Sequence, residues 1–509
     1  MNNNRFLSTG SRTFKLLAVS AAVSVLAACG TIAPTPLAQA DLKQVNDADR
    51  TLMRKDVAPL SGPLTLDEAL ARALKYNLDR RAKLLEQAIA LKQFDITKFD
   101  MLPKLMAQAG YTNRSEETAT YSQAYPVGTK STNASFSKEA SHGTVDLGLT
   151  WSLLDVGLGQ SASIQAADRM LISGEKRRKA MHILMQDVRT AYWRAASAQK
   201  LRGDVEKTIV MAEAALADAA KAEAERLRSP LDSLRYQRQL LENLRLLEAV
   251  DQELSTAQVD LASLINAPVG QAIQIAESDI RLGNDSVLKL PVSRLEEAAL
   301  ENNADLREQH YNSRIAAQEV RKTMTRLFPN LTFSYGIKHD TDTYLVHNNW
   351  NEAGLQLSFN LFNLYTGPMQ IKLAEAGVAL ADQRRLATQM AVVSQVHLAR
   401  LQLLNARSQF SRADAIFTTD QKIAEQVRAR QSVQAQSQLD LVANETTAIL
   451  SLLRRYQALS LVHMAENRLM ANLGLEPKIG STDDLSLADL TQQVKGNPWA
   501  QLQATAASK

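Results

Sequence analysis

The sequence has a single cysteine, few aromatic residues and little net charge. One cysteine excludes an internal disulfide, a cysteine-based zinc site and an iron–sulfur cluster. Aromatic residues make up 5% of the 509 residues, which is few for a sheet-rich enzyme or an aromatic-lined nucleic-acid binder. The formal charge of +4 becomes +1 when Arg5, Arg12 and Lys15 are removed with a leader peptide. Such a chain has no electrostatic reason to bind nucleic acid.

The N-terminus has the pattern of a secretory signal peptide. Three basic residues precede an apolar stretch over 16–28, which is too short to span a membrane. The stretch ends in Leu26-Ala27-Ala28 before Cys29, which resembles the bacterial lipobox, where a diacylglycerol is attached to the cysteine sulfur. We therefore predict a lipoprotein signal peptide over 1–28 and an N-terminal lipid-anchored segment over 29–63. An ordinary signal peptide with an incidental Cys29 is the alternative.

The rest of the chain contains two copies of one unit. At an offset of 226 residues, residues 73–79 resemble residues 299–305, and Pro103 matches Pro329. Further along, the offset is 208, and Leu231-Asp232 matches Leu439-Asp440. The offset changes within one loop, which is longer in the first copy.

This self-similarity defines the predicted organisation. The first repeat covers 64–289, the second covers 290–475, and a C-terminal tail follows over 476–509. Each repeat is expected to run helix, strand, loop, strand, very long helix, turn and returning helix.

Four segments alternate apolar residues with polar or small ones. We predict strands over about 103–112, 144–154, 329–338 and 352–362. Their length and alternation are typical of membrane β-barrel strands, because such strands have one apolar and one polar face. After Cys29 no stretch reaches the roughly 18 apolar residues that a transmembrane helix needs, so any membrane crossing must use strands. Two soluble hairpins with one buried face are the alternative.

Two segments have the pattern of unusually long helices. No proline occurs from Ser161 to Ser229 or from Met369 to Glu476, and small or apolar residues recur at three- and four-residue steps. We predict long helices over about 160–228 and 368–431, each on the order of 100 Å at 1.5 Å per residue. The many alanines favour close, coiled-coil-like packing. The chain is expected to turn back near 229 and near 434.

This order of elements resembles the TolC-type outer membrane efflux protein family, in its lipoprotein branch. The resemblance is carried by the paired Ala-Leu motifs at 73 and 299, the prolines at 103 and 329, and the Leu-Asp pairs at 231 and 439. It implies an α+β membrane protein that forms a homotrimer. Each chain then gives four strands to one 12-stranded β-barrel, and the helices continue it as a long periplasmic α-helical coiled-coil tunnel.

The resemblance also implies a function. The chain is expected to be the outer-membrane channel of a tripartite efflux or type I secretion system, a passive duct with no cofactor and no enzymatic activity. Its partners are then the lipid bilayer, a periplasmic adaptor protein and an inner-membrane transporter. An aspartate directly after the lipobox cysteine would resemble an inner-membrane retention signal. Gly30 occupies that position here, so the outer membrane is the expected location. A periplasmic adaptor or coiled-coil structural lipoprotein is the alternative, as is a surface enzyme or binding lipoprotein.

In the family, an aspartate near each helix turn lies at the periplasmic constriction of the tunnel. Asp232 and Asp440 match these positions, and three copies of each would favour cations. Candidate gate or adaptor contacts nearby are Arg226, Arg228, Arg428, Arg430 and Gln434. The sequence departs from the family where Arg226 and Gln434 replace glycines and where Gln431, Gln436 and Ala443 replace residues of the second turn. The alternative is that each aspartate only solvates or caps its turn.

Two further motifs are assigned no chemistry. Residues 155–162 read Gly-x-Gly-x-x-Ala between a strand and a helix, which resembles a dinucleotide-binding turn. The helix that follows is several times too long for such a unit, so we expect only a junction that needs backbone freedom. His339, Asp340, Asp342 and His347 share one short loop, which we expect to be a solvated loop rather than a metal site.

Overall fold

The computed structural model describes residues 35–123, 125–126, 128–225, 229–276, 285–432, 438–475, 482 and 484–496. The chain divides into two compact units, Met1–Val57 and Ala58–Lys509. In the first unit, helix α1 (Gln39–Arg54) has no buried residue. The sequence patterns did not predict this helix, which lies within the segment expected to be lipid-anchored.

The second unit contains both repeats in the expected order. The first repeat has helices α2 and α3, a strand, a two-stranded ribbon, a second long strand and two further helices. Its elements are α2 (Leu66–Tyr76), α3 (Leu78–Thr97), β1 (Lys104–Asn113), β2 (Thr118–Thr120), β3 (Ser135–Lys138), β4 (Ser141–Ser152), α4 (Leu153–Ala224) and α5 (Pro230–Leu264).

The second repeat has the same order without the ribbon, because its loop between strands is short. Its elements are α6 (Val292–Asn302), α7 (Ala304–Arg326), β5 (Asn330–Asp340), β6 (Asn349–Ser358), α8 (Asn363–Ser432) and α9 (Gln438–Asn472). Helix α10 (Leu487–Val494) follows, so the predicted C-terminal tail is partly helical. Leu490 and Val494 of α10 are buried in the main apolar core.

Several predicted boundaries are wrong by a few residues. The long helices begin at Leu153 and Asn363, earlier than the predicted starts at 160 and 368. Helix α4 begins directly after β4 because the Ser152 side chain caps it, accepting a hydrogen bond from the Asp155 amide at 3.1 Å. The last predicted strand, 352–362, instead ends at Ser358. It ends there because Asn360 forms a turn, in which its carbonyl accepts from the Asn363 amide at 2.9 Å.

The repeated Ala-Leu motif contains an asparagine with the same two roles in each copy. Asn77 caps α3, and its side-chain amide donates to the Leu264 carbonyl at the end of α5 at 3.1 Å. Asn303 caps α7 and donates to the Asn472 carbonyl at the end of α9 at 3.0 Å. The motif recurs because each returning helix must be joined to the start of its own repeat.

The Gly-x-Gly-x-x-Ala motif lies inside helix α4, so the predicted strand–helix junction there is wrong. A side chain at Gly159 would place its Cβ 2.9 Å from Met101 Cγ and 3.3 Å from the Asp100 carbonyl carbon. The matching residue of the second repeat, Gly367, would place a Cβ 3.2 Å from Leu327 Cδ1. Gly159 is therefore needed for close packing against the segment before β1, whereas at Gly367 a small shift of the Leu327 side chain would make room.

The four long strands form one antiparallel sheet in the order β1–β4–β5–β6. Leu105 lies opposite Leu149, Leu147 opposite Ile337, and Phe333 opposite Leu355. Because directly paired residues share a face, these apolar side chains line one side of the sheet. The other side carries mainly small, polar and charged residues such as Gln108, Thr150, Ser334 and Gln356, together with the larger Met106 and Trp350.

The helices that precede or follow the strands form a layer of their own. Their order across this layer is the same as the order of their strands across the sheet. Nearer the sheet, α3 packs on α4, α4 on α7, and α7 on α8. Nearer the helix turns, α5 packs on α4, α4 on α9, and α9 on α8. Helix α4 therefore lies inside the layer along its whole length, whereas α8 lies at one edge.

The main apolar core lies where the two repeats meet beside the middle of α4. Tyr192 is fully buried there, and its hydroxyl donates to the Leu64 carbonyl at 3.3 Å. Gln199 joins the same region to the chain after α5, since its side-chain amide donates to the Ile275 carbonyl at 3.0 Å. This core fixes the start of the first repeat against α4.

Candidate functional site

The predicted tip residues lie at the helix ends farthest from the sheet. Asp232 is in the first turn of α5, with 67% of its side chain exposed and Arg235 Nη1 at 3.9 Å from its Oδ1. The positive N-terminal end of the helix dipole stabilises the negative charge of this side chain. The structure therefore supports helix stabilisation as one role of Asp232 and leaves its carboxylate accessible to ions.

Asp440 is in the first turn of α9, and it is half-buried. Its carbonyl accepts a hydrogen bond from the Asn444 side chain at 2.7 Å. Two residues further on, Val442 is fully buried against Leu240 and Ala212 of the first repeat. Asp440 is thus held where α9 packs on the α4–α5 hairpin.

Arg428 joins the ends of α8 and α9 across the second turn. It forms a two-pronged ion pair with Glu445, in which Nη2 lies 2.9 Å from Oε2 and Nε donates to Oε1. The hydrogen bond to Glu445 raises the pKa of Arg428, with smaller contributions from Asp204 and Glu425. Arg430 is exposed near the end of α8. The other predicted contacts, Arg226, Arg228 and Gln434, lie outside the described residues, as does Cys29.

Glu445 was not predicted from the sequence as a tip residue. It is the only charged residue between Asp440 and Arg454, and its side chain is 13% exposed. A single acidic residue in an otherwise uncharged stretch of helix indicates a partner of opposite charge. The sequence does not identify that partner, because it lies on the other side of the helix turn. The structure supplies that partner as Arg428.

The loop between β5 and β6 uses its acidic side chains to hold its own backbone. Asp342 Oδ1 accepts from the Glu139 amide at 3.2 Å and from the Tyr344 amide at 3.1 Å. Asp340 Oδ1 accepts from the Asp342 amide at 3.0 Å, and Asp340 and Asp342 are both buried. Across the described ranges, no group of three His, Cys, Asp or Glu residues could hold a metal ion. The expectation of a fully solvated loop is wrong for these two residues, because the hydrogen bond from Glu139 to Asp342 holds the loop against the first repeat.

A half-buried histidine, whose Nε2 is inaccessible to solvent, lies near the middle of the helix layer. The His463 ring stacks on the Trp193 ring, with centroids 5.3 Å apart and planes 9° apart. Burial, together with the charges of Arg189 and Arg407, lowers the pKa of His463 to about 4. His463 is therefore neutral at pH 7 and packs as an aromatic ring.

A family model described as "Outer membrane efflux protein" matches residues 69–267 and 295–475, one segment in each repeat. The chain belongs to this outer membrane efflux protein family. The resemblance to TolC-type proteins is confirmed, and the two matched segments coincide with the two structural repeats. No curated protein matches the chain in sequence.

Solved outer membrane channels share the fold of this efflux family member at low sequence identity. The Campylobacter jejuni CmeC outer membrane channel has a TM-score of 0.61 at 13% identity, covering 84% of this chain and 89% of that one. The open state of the Neisseria gonorrhoeae MtrE outer membrane channel has a TM-score of 0.60 at 17% identity, covering 80% and 88%. The Vibrio cholerae outer membrane protein VceC has a TM-score of 0.57 at 14% identity, covering 80% and 96%.

These comparisons confirm the predicted fold class, with paired strands continued by long helices in two repeats. No helix in the described parts of the chain is both long enough and apolar enough to cross a membrane.

Proposed function

We propose that three copies of this chain close into one outer-membrane channel, which acts as the passive exit duct of a tripartite efflux or type I secretion system. The observation that carries the proposal is the pair of open edges in one chain. Strand β1 pairs only with β4, and strand β6 pairs only with β5, within the residues that the structure describes. An open edge cannot stay unpaired in lipid, because its N–H and C=O groups have no water to bind.

The helix layer supports the same closure. Helix α3 precedes the edge strand β1, and α8 follows the edge strand β6. The outermost helices of the helix layer therefore belong to the same two sides of the chain as the edge strands of the sheet. Each of these helices exposes apolar side chains at four- and seven-residue steps: Leu85, Ile89 and Ile96 on α3, and Met369, Leu373 and Leu380 on α8. Such stripes are typical of helices that pack on another helix.

The number of copies follows from the size of the duct. Four strands cannot form a closed barrel around side chains, and the interior of an eight-stranded barrel is filled by them. Twelve strands from three copies are therefore the smallest closed assembly that leaves a water-filled lumen. The apolar face of the sheet then meets lipid, and the face with Gln108, Thr150 and Gln356 lines the lumen.

The location of each part follows from this arrangement. The sheet lies in the bacterial outer membrane, and the long helices extend into the periplasm, where an adaptor joins the duct to an inner-membrane transporter. Asp232 and Asp440 then form rings at the periplasmic end, and the Arg428–Glu445 ion pair holds the second turn closed. Arg226, Arg228, Arg430 and Gln434 are the proposed adaptor or gate contacts.

Lipid attachment at Cys29 supplies a second anchor to the membrane. Cells grown with a radioactive fatty acid should label the wild-type protein and not Cys29→Ser. Equal labelling of both proteins would contradict lipid attachment at Cys29 and would leave the proposed channel function unchanged.

The facing of the sheet provides the direct test of the channel. Leu355→Arg places a charge on the apolar face near the middle of β6, which costs about 2–4 kcal/mol at the bilayer midplane. Gln356→Arg is the matched control, because its side chain lies on the opposite face, opposite Thr332. We expect Leu355→Arg to lower the yield of heat-resistant trimer on a gel and Gln356→Arg to preserve it. Equal yields would contradict the assignment of the lipid-facing side.

A further inference from the structure

Three charged side chains lie at two adjacent levels on the polar face of the sheet. The register places Asp146 of β4 directly opposite Lys338 of β5, and Gly336 directly opposite Glu352 of β6. Because paired residues share a face, all three charges lie on the side away from the apolar residues Leu147 and Ile337. The three residues are called the charged girdle below.

The charges of the girdle do not cancel. Lys338 Nζ lies 2.6 Å from Glu352 Oε2, so these two side chains form an ion pair between neighbouring strands. Asp146, which is half-buried, forms no ion pair in the part of the chain that the structure describes. Each chain therefore contributes one uncompensated negative charge at the girdle.

The other charged residues on the polar face lie at the two ends of the sheet. Near the helix end of the sheet, Lys104 Nζ lies 3.2 Å from Asp155 Oδ2. At the far end, Asp340 Oδ2 lies 3.9 Å from Nε2 of the buried His142. Asp340 is buried, and His142 carries a charge only when it is protonated, so the accessible negative excess on this face lies at the girdle.

Small residues lie beside the girdle on the same face, as does Trp350, which is directly opposite Lys338. Gly148 lies directly opposite Gly336 on the same face, and no atom lies within 4 Å of the position that a Cβ at Gly148 would take. Gly354 also lies on this face, where a Cβ would come within 2.8 Å of Ser334 Oγ. Around a lumen shared by three chains, the girdle acts through its electric field rather than by direct coordination of an ion.

We propose that Asp146, Lys338 and Glu352 form a cation-selective ring inside the strand-built part of the channel, separate from the aspartates at the helix turns. The proposal rests on the proposed function, because three copies must close around the polar face to make a ring. Three chains then place three uncompensated negative charges around the lumen. The ring favours hydrated cations and cationic substrates over anions.

Reversal potentials in a planar bilayer, measured across a salt gradient, test the ring. Asp146→Asn removes its negative charge and should lower the cation-to-anion permeability ratio about two- to threefold near 0.1 M salt, where the Debye length is about 10 Å. Lys338→Gln frees the Glu352 charge and should raise the ratio. The two variants must move the ratio in opposite directions, which general damage to the sheet cannot produce.

Two controls separate the possible failures. Thr150→Asn changes the polar face without changing charge and should leave the ratio as in the wild type. Asp440→Ala, placed at the helix turn, should lower the ratio on its own and add to the effect of Asp146→Asn.

If the wild type conducts as a trimer but Asp146→Asn and Lys338→Gln leave the ratio unchanged, or shift it in the same direction, the ring is wrong and the channel stands. If the wild type forms no trimeric conducting channel, the proposed function fails first. The effects of both girdle variants should also shrink toward 1 M salt, where the Debye length is about 3 Å. Effects that persist undiminished at that salt concentration would contradict action through the electric field.

Discussion

Helix α4 is joined to its neighbouring helices in two different ways along its length. Near the sheet, polar and charged side chains connect it to α7; this contact is called the ionic seam. Its pairs are Gln165 with Glu319, Asp168 with Arg314, Glu175 with Arg307, Lys176 with Glu308, and Lys179 with Asp305. Toward the helix turns, aliphatic side chains connect α4 to α5 and α9; this contact is called the apolar seam. Its members are Leu201, Val205, Leu247, Leu254, Ile449 and Leu453.

The difference shows how one continuous helix can serve two environments. The apolar seam is stabilised by burial, which is insensitive to pH and salt. The ionic seam contains the fully buried Asp168 and the nearly buried Glu175, so its stability depends on keeping each carboxylate paired. Charge changes should therefore weaken the sheet end of α4 far more than the turn end.

The largest expected effect comes from breaking the ionic seam on one side. Arg314→Ala leaves the Asp168 carboxylate buried without its guanidinium, which should lower the free energy of unfolding by roughly 3–5 kcal/mol. Thermal unfolding followed by circular dichroism measures the change. The double variant Asp168→Asn with Arg314→Gln removes both charges and should recover most of the loss. A double variant as unstable as Arg314→Ala would show that packing, not charge, holds this seam.

A slightly smaller effect is expected from the apolar seam. Leu201 is 1% exposed, so Leu201→Ala should lower the free energy of unfolding by about 2–5 kcal/mol through lost burial and a cavity. The exposed Leu241 gives the matched control, because Leu241→Ala removes the same atoms from a surface position. The loss for Leu201→Ala should be the same at low and high salt. A strong salt dependence would remove the distinction between the two seams.

The third effect, which is the smallest near pH 7, is a pH dependence at His463, which lies between the two seams. Its pKa is lowered from 6.5 to about 4 in the folded protein, so the unfolded chain binds the extra proton first as the pH falls. The stability that comes from the neutral ring is complete above about pH 6.5 and is lost as the pH falls toward 4, by at most about 1.4 kcal/mol per pH unit. His463→Gln should flatten this part of the curve. An unchanged curve in that variant would assign the dependence to other groups.

The sequence predicted the parts of the fold that rest on long, regular patterns. Alternation gave the four strands, the absence of proline gave the two long helices, and self-similarity gave the repeats. It did not predict the β2–β3 ribbon or α10, because short elements leave few periods to read. Helix α1 was missed because its 16 residues lie in the segment interpreted only as a lipid-anchored N-terminus. The start of α4 was also missed, since the role of Gly159 depends on Met101, which approaches it only in the folded chain.

The candidate site was predictable only in part. Asp232 and Asp440 followed from the repeated Leu-Asp pairs, and the structure places both in the first turn of a returning helix. The Arg428–Glu445 pair spans a turn, and the girdle pair Lys338–Glu352 spans a loop, so neither spacing follows a helix or strand period. Both depend on register, which the sequence pattern alone does not determine.

The central claim is that the open edges of one chain are closed by two further copies. Native mass spectrometry of the protein extracted from outer membranes in detergent measures the number of chains directly. The account predicts one species with the mass of three processed chains and no stable monomer. A stable monomer, or a conducting complex of two chains, would contradict it.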